Sequence, residues 1–367
     1  MVHGSGPGKG DLVSGISRRK SEHLNIVSER EVEHRGGTLL EDVHLLHEAL
    51  PELDVEDVDT TTEFFGRRLS APLMITSMTG GAEFAERLNH GLAGVAAEKG
   101  IAFAVGSQRV MLRHPEVISH FDVRRNIPDG VLLGNIGAVQ LLEHSTEAVA
   151  GLVEAIEADG LCVHLNTAQE LVQAEGNRRF RGLLYGIARL LDRLEGRLLV
   201  KETGAGLSPR TLERLAAIGV RYVDVSGSGG TSWTRVESYR ASNGPLKNVG
   251  ETLGDWGIPT AVSTLAARSI FGEEGCIVAS GGIRHGLDIA RALALGADLA
   301  GVARPALLAF LKGGRQAAME YITMLITELR TVMVLTESGV AADLRNAPRV
   351  ITGRLRQWCS ALGLSVE

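Results

Sequence analysis

The hydrophobic positions of this chain form short, continuous apolar runs that recur roughly every 25 to 35 residues. Strands that are buried on both faces have continuous apolar sequences, whereas strands with one face in water alternate apolar and polar residues. The pattern predicts eight buried parallel strands, at residues 72–76, 101–105, 131–134, 161–165, 198–201, 222–225, 277–279 and 299–302.

Between these runs, apolar residues return every third or fourth position, as at Leu88, Leu92 and Val95. This spacing is typical of amphipathic helices. It continues in the tail from Met319 to Met333, which predicts a helix that closes the structure. Because strands and helices alternate, we expect residues 18–367 to form a single α/β domain, a (β/α)8 TIM barrel.

Two segments depart from this rhythm. Residues 1–17 contain five glycines and few apolar side chains, so we expect a flexible extension there. About 50 residues separate the sixth run from the seventh. This segment, residues 227–275, is predicted to contain a long active-site loop that is followed by a helix from Ala261 to Ile270. Residues 258–262 are also compatible with an additional strand, which would change the strand count.

Composition narrows the function classes. The chain has 367 residues, 44% of them hydrophobic, and a net charge of −6, so no basic field favours nucleic acid. Three cysteines indicate a reducing compartment without disulfides, most simply the cytoplasm. No apolar stretch reaches the roughly 18 residues that a membrane-spanning helix needs.

Two glycine-containing loops predict a phosphate site. Gly282, Ile283 and Arg284 follow the seventh run, and Ala303 and Arg304 follow the eighth. In (β/α)8 barrels the loops after these two strands often bind phosphate through backbone N–H groups and helix N-termini. We therefore expect FMN, anchored by its phosphate with its ring over the barrel mouth. Two simpler interpretations remain: the glycines form tight turns, and the arginines are structural ion-pair partners.

The other predicted strand ends also carry polar groups. Lys201 ends an apolar strand, where an unpaired ammonium is costly to bury, so it either meets an anion or a ring or forms a salt bridge with Glu202 or Asp224. The remaining candidate residues at strand ends are Ser77, Met78, Thr79, Ser107, Arg109, Asn135, Ser226 and Thr231.

The most informative stretch is residues 160–170, where an apolar strand runs into His164, Asn166, Gln169 and Glu170. Parallel barrels place their chemistry at such strand ends, which makes this a candidate reaction site. Each residue also has a structural interpretation. In isolation, His164 is more often a hydrogen-bonded structural histidine, and Glu170 is able to cap the next helix.

Taken in order, these motifs resemble those of the type 2 isopentenyl diphosphate isomerases. The likeness covers most of the chain from Arg18 onward. Members of that family are FMN-dependent barrel enzymes that interconvert isopentenyl and dimethylallyl diphosphate. The motifs that carry the resemblance are Arg19-Lys20-Ser21-Glu22-His23 and residues 77–81, 106–109, 164–177, 200–202, 226–233 and 281–284.

The resemblance implies a role for each candidate residue. Gln169, His164 and Asn166 would surround the reacting end of the substrate, and Glu170 would coordinate Mg²⁺. The residues implied to bind the diphosphate substrate are Arg19, Lys20, His23, Ser107, Arg109 and Gln169. Those implied to bind FMN are Ser77, Met78, Thr79, Ser107, Asn135, Lys201, Ser226, Thr231, Gly282, Ile283, Arg284, Ala303 and Arg304.

The resemblance also implies a homo-oligomer, with NADPH used only to reduce FMN. Thr167 and Ala168 stand where many relatives carry Pro-Leu, and these smaller side chains could leave a roomier pocket. One alternative function is therefore a family member that acts on a longer prenyl substrate. An FMN-dependent barrel oxidoreductase, for example one acting on hydroxy acids, is a second. A catalytically silent homologue that acts as an assembly partner is a third.

Overall fold

The computed structural model describes residues 9–78, 83–241 and 243–365. Its centre is a closed barrel of eight parallel strands, joined in the order β10-β11-β4-β5-β6-β7-β8-β9. The strands of the described residues are β1 Val43–Leu45, β2 Thr62–Phe64, β3 Arg67–Leu69, β4 Leu73–Ile75, β5 Ala102–Ala104, β6 Leu132–Gly137, β7 Gly160–Leu165, β8 Leu198–Glu202, β9 Tyr222–Asp224, β10 Cys276–Ser280, β11 Leu299–Val302 and β12 Arg349–Ile351.

All eight predicted apolar runs form barrel strands, each hydrogen-bonded to the next along the chain, and the TIM-barrel prediction is confirmed. Their side chains divide between two apolar layers. One layer fills the barrel, as Met74 and Leu199 do, and the other packs between the barrel and its helices, as Ile75 and Val200 do. Burial on both faces is the reason that these strands read as continuous apolar runs.

Helices surround the barrel, and the predicted tail helix lies in α11, which packs against α2 and α10 and completes the outer ring. The helices of the described residues are α1 Lys9–Glu29, α2 Glu83–Lys99, α3 Thr146–Ala155, α4 Thr167–Val172, α5 Leu183–Arg193, α6 Pro209–Ala217, α7 Trp233–Arg240, α8 Pro245–Thr252, α9 Thr260–Phe271, α10 Gly286–Ala294, α11 Arg304–Leu335 and α12 Gly353–Leu362.

The strand register sets which end of the barrel carries polar side chains. His164 on β7 lies opposite Lys201 on β8, and Lys201 lies opposite Asp224 on β9. These three residues therefore occupy one level near the carboxyl ends of their strands. At the amino end, the β2–β3 hairpin carries Phe65, whose ring stacks on Tyr222 with centroids 4.2 Å apart. That end is apolar, so the chemistry belongs at the carboxyl end.

Helix α1 begins at Lys9, and residues 1–8 of the expected flexible extension lie outside the described residues. The helix packs against α7 and so brings the N-terminal arm to the barrel mouth.

The predicted long loop over residues 227–275 is wrong, because α7 and α8 both lie within it. Ser232 caps α7 by accepting a hydrogen bond from the Arg235 backbone N–H at 3.3 Å, and Pro245 supplies a favourable first residue for α8. The alternative of an additional strand over 258–262 is likewise wrong. Pro259 makes only an isolated bridge to Ser228, and α9 follows it directly.

Cys162, Cys276 and Cys359 are all free, as the sequence predicts. Within the described ranges, no helix is long and apolar enough to cross a membrane.

Candidate active site

A large cavity opens at the carboxyl end of the barrel, and its roughly 1600 Å³ of empty space includes open solvent at the mouth. Residues at or after all eight barrel strands line it, and α1 adds a wall from the N-terminal arm. The cavity therefore joins the polar ends of every barrel strand in one site.

The structure brings the predicted site residues together. Thr79 lies outside the described residues; the other twenty all line this cavity. They are Arg19, Lys20, His23, Ser77, Met78, Ser107, Arg109, Asn135, His164, Asn166, Gln169, Glu170, Lys201, Ser226, Thr231, Gly282, Ile283, Arg284, Ala303 and Arg304. Thr167 and Ala168 are not among the residues that line the cavity.

The loops after β10 and β11 form one side of the cavity. Gly281 and Gly282 have φ values of +96° and +85°, which side chains rarely adopt. A Cβ on Gly281 would collide with the Gly227 backbone, so only glycine fits this turn. Helix α11 begins at Arg304, and its first N–H groups have no partner within the helix. This combination of bare backbone and a helix N-terminus suits a phosphate group.

The two arginines of these loops are already paired. Arg284 donates to Glu33 at 2.5 Å and Arg304 donates to the other oxygen of the same carboxylate at 2.9 Å. Arg304 also donates to the Val27 carbonyl at 2.8 Å. The alternative that these arginines are structural ion-pair partners is therefore confirmed for their side chains. Glu33 ties the N-terminal arm to both loops, which leaves backbone groups as the donors for a phosphate.

Two more polar side chains lie on the cavity wall, Ser77 after β4, beside β11, and Gln140 after β6. The buried Ser77 hydroxyl and the Gln140 side-chain N–H group have no oxygen or nitrogen partner among the described residues. Buried polar groups of this kind are usually satisfied by a ligand or by water. Both residues line the cavity, so the site fits a polar cofactor such as FMN. Gln140 has no place among the sequence predictions, because its glutamine follows no recognisable motif.

His164 is held neutral. Burial, together with the nearby charges of Lys201 and Arg109, lowers the pKa of its imidazole to about 3. Its Nδ1 lies 3.0 Å from the Asn135 Oδ1, an acceptor, so the ring proton sits on Nδ1 and Nε2 keeps its lone pair. The structural interpretation of a hydrogen-bonded histidine therefore holds for Nδ1, while Nε2 is an acceptor and not an acid.

Lys201 is buried, and its Nζ lies 3.7 Å from the Asp224 carboxylate. The predicted salt-bridge alternative is therefore confirmed for Asp224. The Glu202 carboxylate instead accepts hydrogen bonds from the backbone N–H groups of Thr203 and Gly204, at 2.6 and 2.7 Å.

A hydrogen-bond network surrounds Gln169. Its Nε2 donates to Glu237 at 3.0 Å, and its Oε1 accepts from Asn166 at 3.1 Å, so both ends of the amide are fixed. Glu237 also accepts from His23 at 2.8 Å and from Arg240 at 2.6 Å. Burial alone would raise the pKa of Glu237, but its hydrogen bonds from His23 and Gln169 and the charge of Arg240 hold that pKa below its ordinary value.

Sequence reasoning missed Glu237. It lies one helical turn after Trp233, which does line the cavity. Extending the helix prediction through this segment would have placed the two residues on one face. The treatment of residues 227–275 as a loop hid that signal.

A cluster of cations lies at the mouth. Lys20 is buried by the arm, its Nζ donates to the Ser107 carbonyl at 3.4 Å, and it lies 5.8 Å from the centroid of the Phe121 ring. Burial, followed by the charges of Arg19 and Arg109, lowers the pKa of Lys20 to about 7. Cations that lie close enough to lower the pKa of Lys20 form a site that favours the binding of a strong anion.

Glu170 is the one predicted metal ligand. Its two carboxylate oxygens accept hydrogen bonds from the Asn166 side chain at 3.2 Å and from the Asn177 backbone N–H at 2.5 Å. In the part of the chain that the structure describes, no group of three His, Cys, Asp or Glu residues is arranged to hold a metal ion. Magnesium at Glu170 would therefore need oxygens from a substrate to complete its coordination.

Comparisons with known proteins agree with this geometry. Residues 163–347 match the FMN-dependent dehydrogenase family. The chain is 48% identical over 334 residues to an isopentenyl-diphosphate delta-isomerase of Synechococcus sp., covering 90% of this chain and 95% of that protein. It is 45% identical over 349 residues to the enzyme of the same name from Halobacterium salinarum, covering 93% and 95% of the two chains.

Solved structures also share the fold. A mandelate oxidase variant with a monooxide FMN adduct matches at a TM-score of 0.60 and 17% identity, covering 94% of this chain and 97% of the oxidase. At this identity the likeness concerns the barrel and not its chemistry.

Proposed function

Because this chain belongs to the isopentenyl-diphosphate delta-isomerase family, we propose that it interconverts isopentenyl and dimethylallyl diphosphate with FMN bound at the barrel mouth. The observation that supports the proposal is one cavity that contains both a pair of glycine loops with a helix N-terminus and a separate group of cations, Arg19, Lys20 and Arg109. One phosphate site suits the cofactor, and the second anion site suits the diphosphate of the substrate.

The test is an anaerobic incubation of the purified protein with dithionite-reduced FMN, Mg²⁺ and isopentenyl diphosphate. We expect dimethylallyl diphosphate to form with reduced FMN and not with oxidised FMN. Oxidation of a hydroxy acid with an organic acceptor, without isomer formation, would favour the oxidoreductase alternative instead. A protein that purifies without yellow colour and does not take up FMN would favour the silent homologue.

The reaction moves a double bond in an unactivated alkene, so one carbon must gain a proton and a neighbouring position must lose one. Reduced FMN, when bound, would supply acid–base chemistry and an electron-rich ring that favours nearby positive charge, without net redox change. The protein's own residues have the tasks of binding both phosphates, orienting the alkene and excluding water.

We assign FMN to the side of the cavity formed by the β10 and β11 loops. The strained glycines and the N-terminus of α11 support a phosphate there, and the unpartnered Ser77 hydroxyl supports polar contacts to the ring. The residues that we propose to hold it are Ser77, Met78, Thr79, Ser107, Asn135, Lys201, Ser226, Thr231, Gly282, Ile283, Arg284, Ala303 and Arg304.

We assign the diphosphate to the cation cluster beneath α1. A diphosphate carries close to three negative charges, so binding beside Arg19, Lys20 and Arg109 would favour the charged form of Lys20, which burial now disfavours. Ser107 and His23 complete the proposed contacts. Since Arg19, Lys20 and His23 all belong to the arm, substrate binding would also hold the arm against the barrel mouth.

Diphosphate affinity should depend on pH through Lys20. Its pKa of about 7 means that the ligand-free protein loses this charge as the pH rises through 7. The bound anion favours the charged form, so binding above pH 7 takes up a proton. We expect the Kd of isopentenyl diphosphate to rise by up to about tenfold per pH unit above pH 7.

Calorimetry in buffers of different ionisation enthalpy measures this proton uptake directly. Lys20→Met, which keeps the buried stem, should bind more weakly and lose the uptake. Equal proton uptake in the wild type and in this variant would contradict the assignment.

At the reacting end, we propose that Gln169 orients the alkene and assists proton transfer, with His164 and Asn166 beside it. The amide of Gln169 is a poor acid, and neutral His164 has no acidic proton to give near pH 7. The pKa of Glu237 is lowered and its carboxylate accepts a hydrogen bond from Gln169, which makes it the protein group best placed to fix the orientation of the amide.

We propose that Glu170 binds Mg²⁺ together with the substrate diphosphate. Glu170→Gln should raise the Mg²⁺ concentration for half-maximal activity by roughly tenfold, because the metal loses its charged protein ligand. Activity is measured across a Mg²⁺ titration.

The matched control for this titration is Glu143→Gln. Glu143 accepts a hydrogen bond from the same Asn177 at 3.1 Å but is exposed and lies outside the cavity lining. This control should leave the Mg²⁺ requirement unchanged. An unaltered titration in Glu170→Gln would remove the metal role.

Two further properties come from the resemblance alone, and a third comes from the cysteines. We propose that NADPH serves as reductant of the bound FMN, that the protein is a homo-oligomer, and that it works in the cytoplasm. The free cysteines support the last proposal only as far as they suit a reducing compartment.

A further inference from the structure

Asp224 is a carboxylate that the proposed function leaves without a role. It ends strand β9, is 0% exposed, and does not line the cavity. It lies directly behind the cavity wall, where an ionised side chain is costly unless several groups satisfy it.

Asp224 is satisfied by four groups from different parts of the barrel. Its Oδ1 accepts hydrogen bonds from the Ser280 hydroxyl at 2.6 Å and from the Ser226 backbone N–H at 3.1 Å. Its Oδ2 accepts from the Thr76 hydroxyl at 3.4 Å and lies 3.7 Å from the Lys201 ammonium. All four partners line the cavity, although Asp224 does not.

The backbone at Ser226 adds a second sign of organisation. Its φ is +38°, a conformation that non-glycine residues adopt only when their surroundings hold them there. The hydrogen bond from its N–H to Asp224, two residues earlier, closes a local turn of the kind that aspartate stabilises. Asp224 therefore holds a strained wall residue by a hydrogen bond and lies within ion-pair distance of a buried lysine, whose ammonium also donates to the Glu202 carbonyl.

We propose that Asp224 is a positioning residue that orients Lys201 toward the cofactor and partly offsets its charge. The inference rests on the proposed function, because it assumes that FMN binds against this wall. With Asp224 ionised, the pair has no net charge, so a bound ring faces a lysine whose positive potential is reduced. Removing the carboxylate charge leaves that potential unopposed.

The experiment measures the midpoint potential of FMN in the anaerobic holoenzyme by spectroelectrochemistry. Asp224→Asn should shift the potential to more positive values, because an unopposed Lys201 favours the more negative reduced flavin. Ser280→Ala keeps the negative charge of Asp224 but removes a hydrogen bond that partly neutralises it. The midpoint potential of FMN should therefore shift to more negative values. A purely structural role would lower thermal stability in both variants and move neither potential.

The two outcomes are separable from the proposed function. A wild-type protein that does not retain FMN would defeat both the function and this inference, whereas one that retains FMN without isomerising the substrate would defeat the function alone. A wild-type holoenzyme whose potential is unchanged in Asp224→Asn would overturn the inference. If Asp224→Asn does not fold, Ser280→Ala decides: a negative shift supports the positioning role, and an unchanged potential overturns it.

Discussion

Replacing Glu237 with glutamine is expected to lower the kcat of isomerisation by roughly 100-fold, within the range found for acid–base and orienting groups. Glutamine has nearly the same shape, so the cavity keeps its volume. Glutamine, however, has no negative charge and only one acceptor oxygen, so it cannot accept the hydrogen bonds from Gln169, His23 and Arg240 as the carboxylate does. The Gln169 amide would then lose its charged hydrogen-bond acceptor and be free to rotate.

Steady-state kinetics with reduced FMN measures this change, and Glu175→Gln is the matched control. Glu175 pairs with the same Arg240 at 2.9 Å, but its side chain is more exposed than that of Glu237 and is not hydrogen-bonded to Gln169. Exposed ion pairs contribute little, so the control should retain kcat within about threefold. Equal kcat values for wild type and Glu237→Gln would show that Gln169 needs no ionised partner.

Replacing Gly281 with alanine is expected to weaken FMN binding by roughly 10- to 100-fold. A side chain at φ +96° costs about 1–3 kcal/mol, and each 1.4 kcal/mol is about a tenfold change in affinity. The added Cβ would also collide with the Gly227 backbone, which has no flexible end to move aside. The loop would shift, and its backbone groups would no longer converge on the phosphate.

Fluorescence quenching of FMN on titration with apoprotein gives the affinity. Gly244→Ala is the control, because Gly244 has a similar φ of +102° but open space around its Cβ position and no place in the cavity lining. It should cost stability without changing FMN affinity. If Gly281→Ala binds FMN as tightly as the wild type, the phosphate lies elsewhere.

The barrel was predictable because each strand is buried on both faces. Runs such as 131–134 and 198–201 have no polar face to break them, so their apolar character alone identifies them. The polar residues that follow them were predictable for a related reason. A parallel barrel collects all its strand ends at one rim, so His164 and Lys201 had to become neighbours once the strands were counted.

The parts that were not predictable depend on contacts between distant segments. Glu33 meets Arg284 and Arg304 about 250 residues later in the chain, and nothing near Glu33 in the sequence indicates this partnership. Glu237 likewise acquires its role from His23 and Gln169, which lie on α1 and α4. Local patterns report burial and secondary structure, but they do not report which charged groups will meet.

These contacts make the N-terminal arm part of both halves of the site. Through Glu33 it holds the arginines of the phosphate loops, and through Lys20 and His23 it reaches the cation cluster and the Gln169 network. The arm therefore links the proposed cofactor side of the cavity to the proposed substrate side.

The account depends on a flavin that assists proton movement without being consumed. The most direct measurement counts dimethylallyl diphosphate formed against reducing equivalents used, in an anaerobic reaction after one reduction of the bound FMN. We expect many product molecules per FMN with the flavin still reduced at the end. Product formation that consumes one reducing equivalent per turnover, or a reduced holoenzyme that forms no product, would contradict the account.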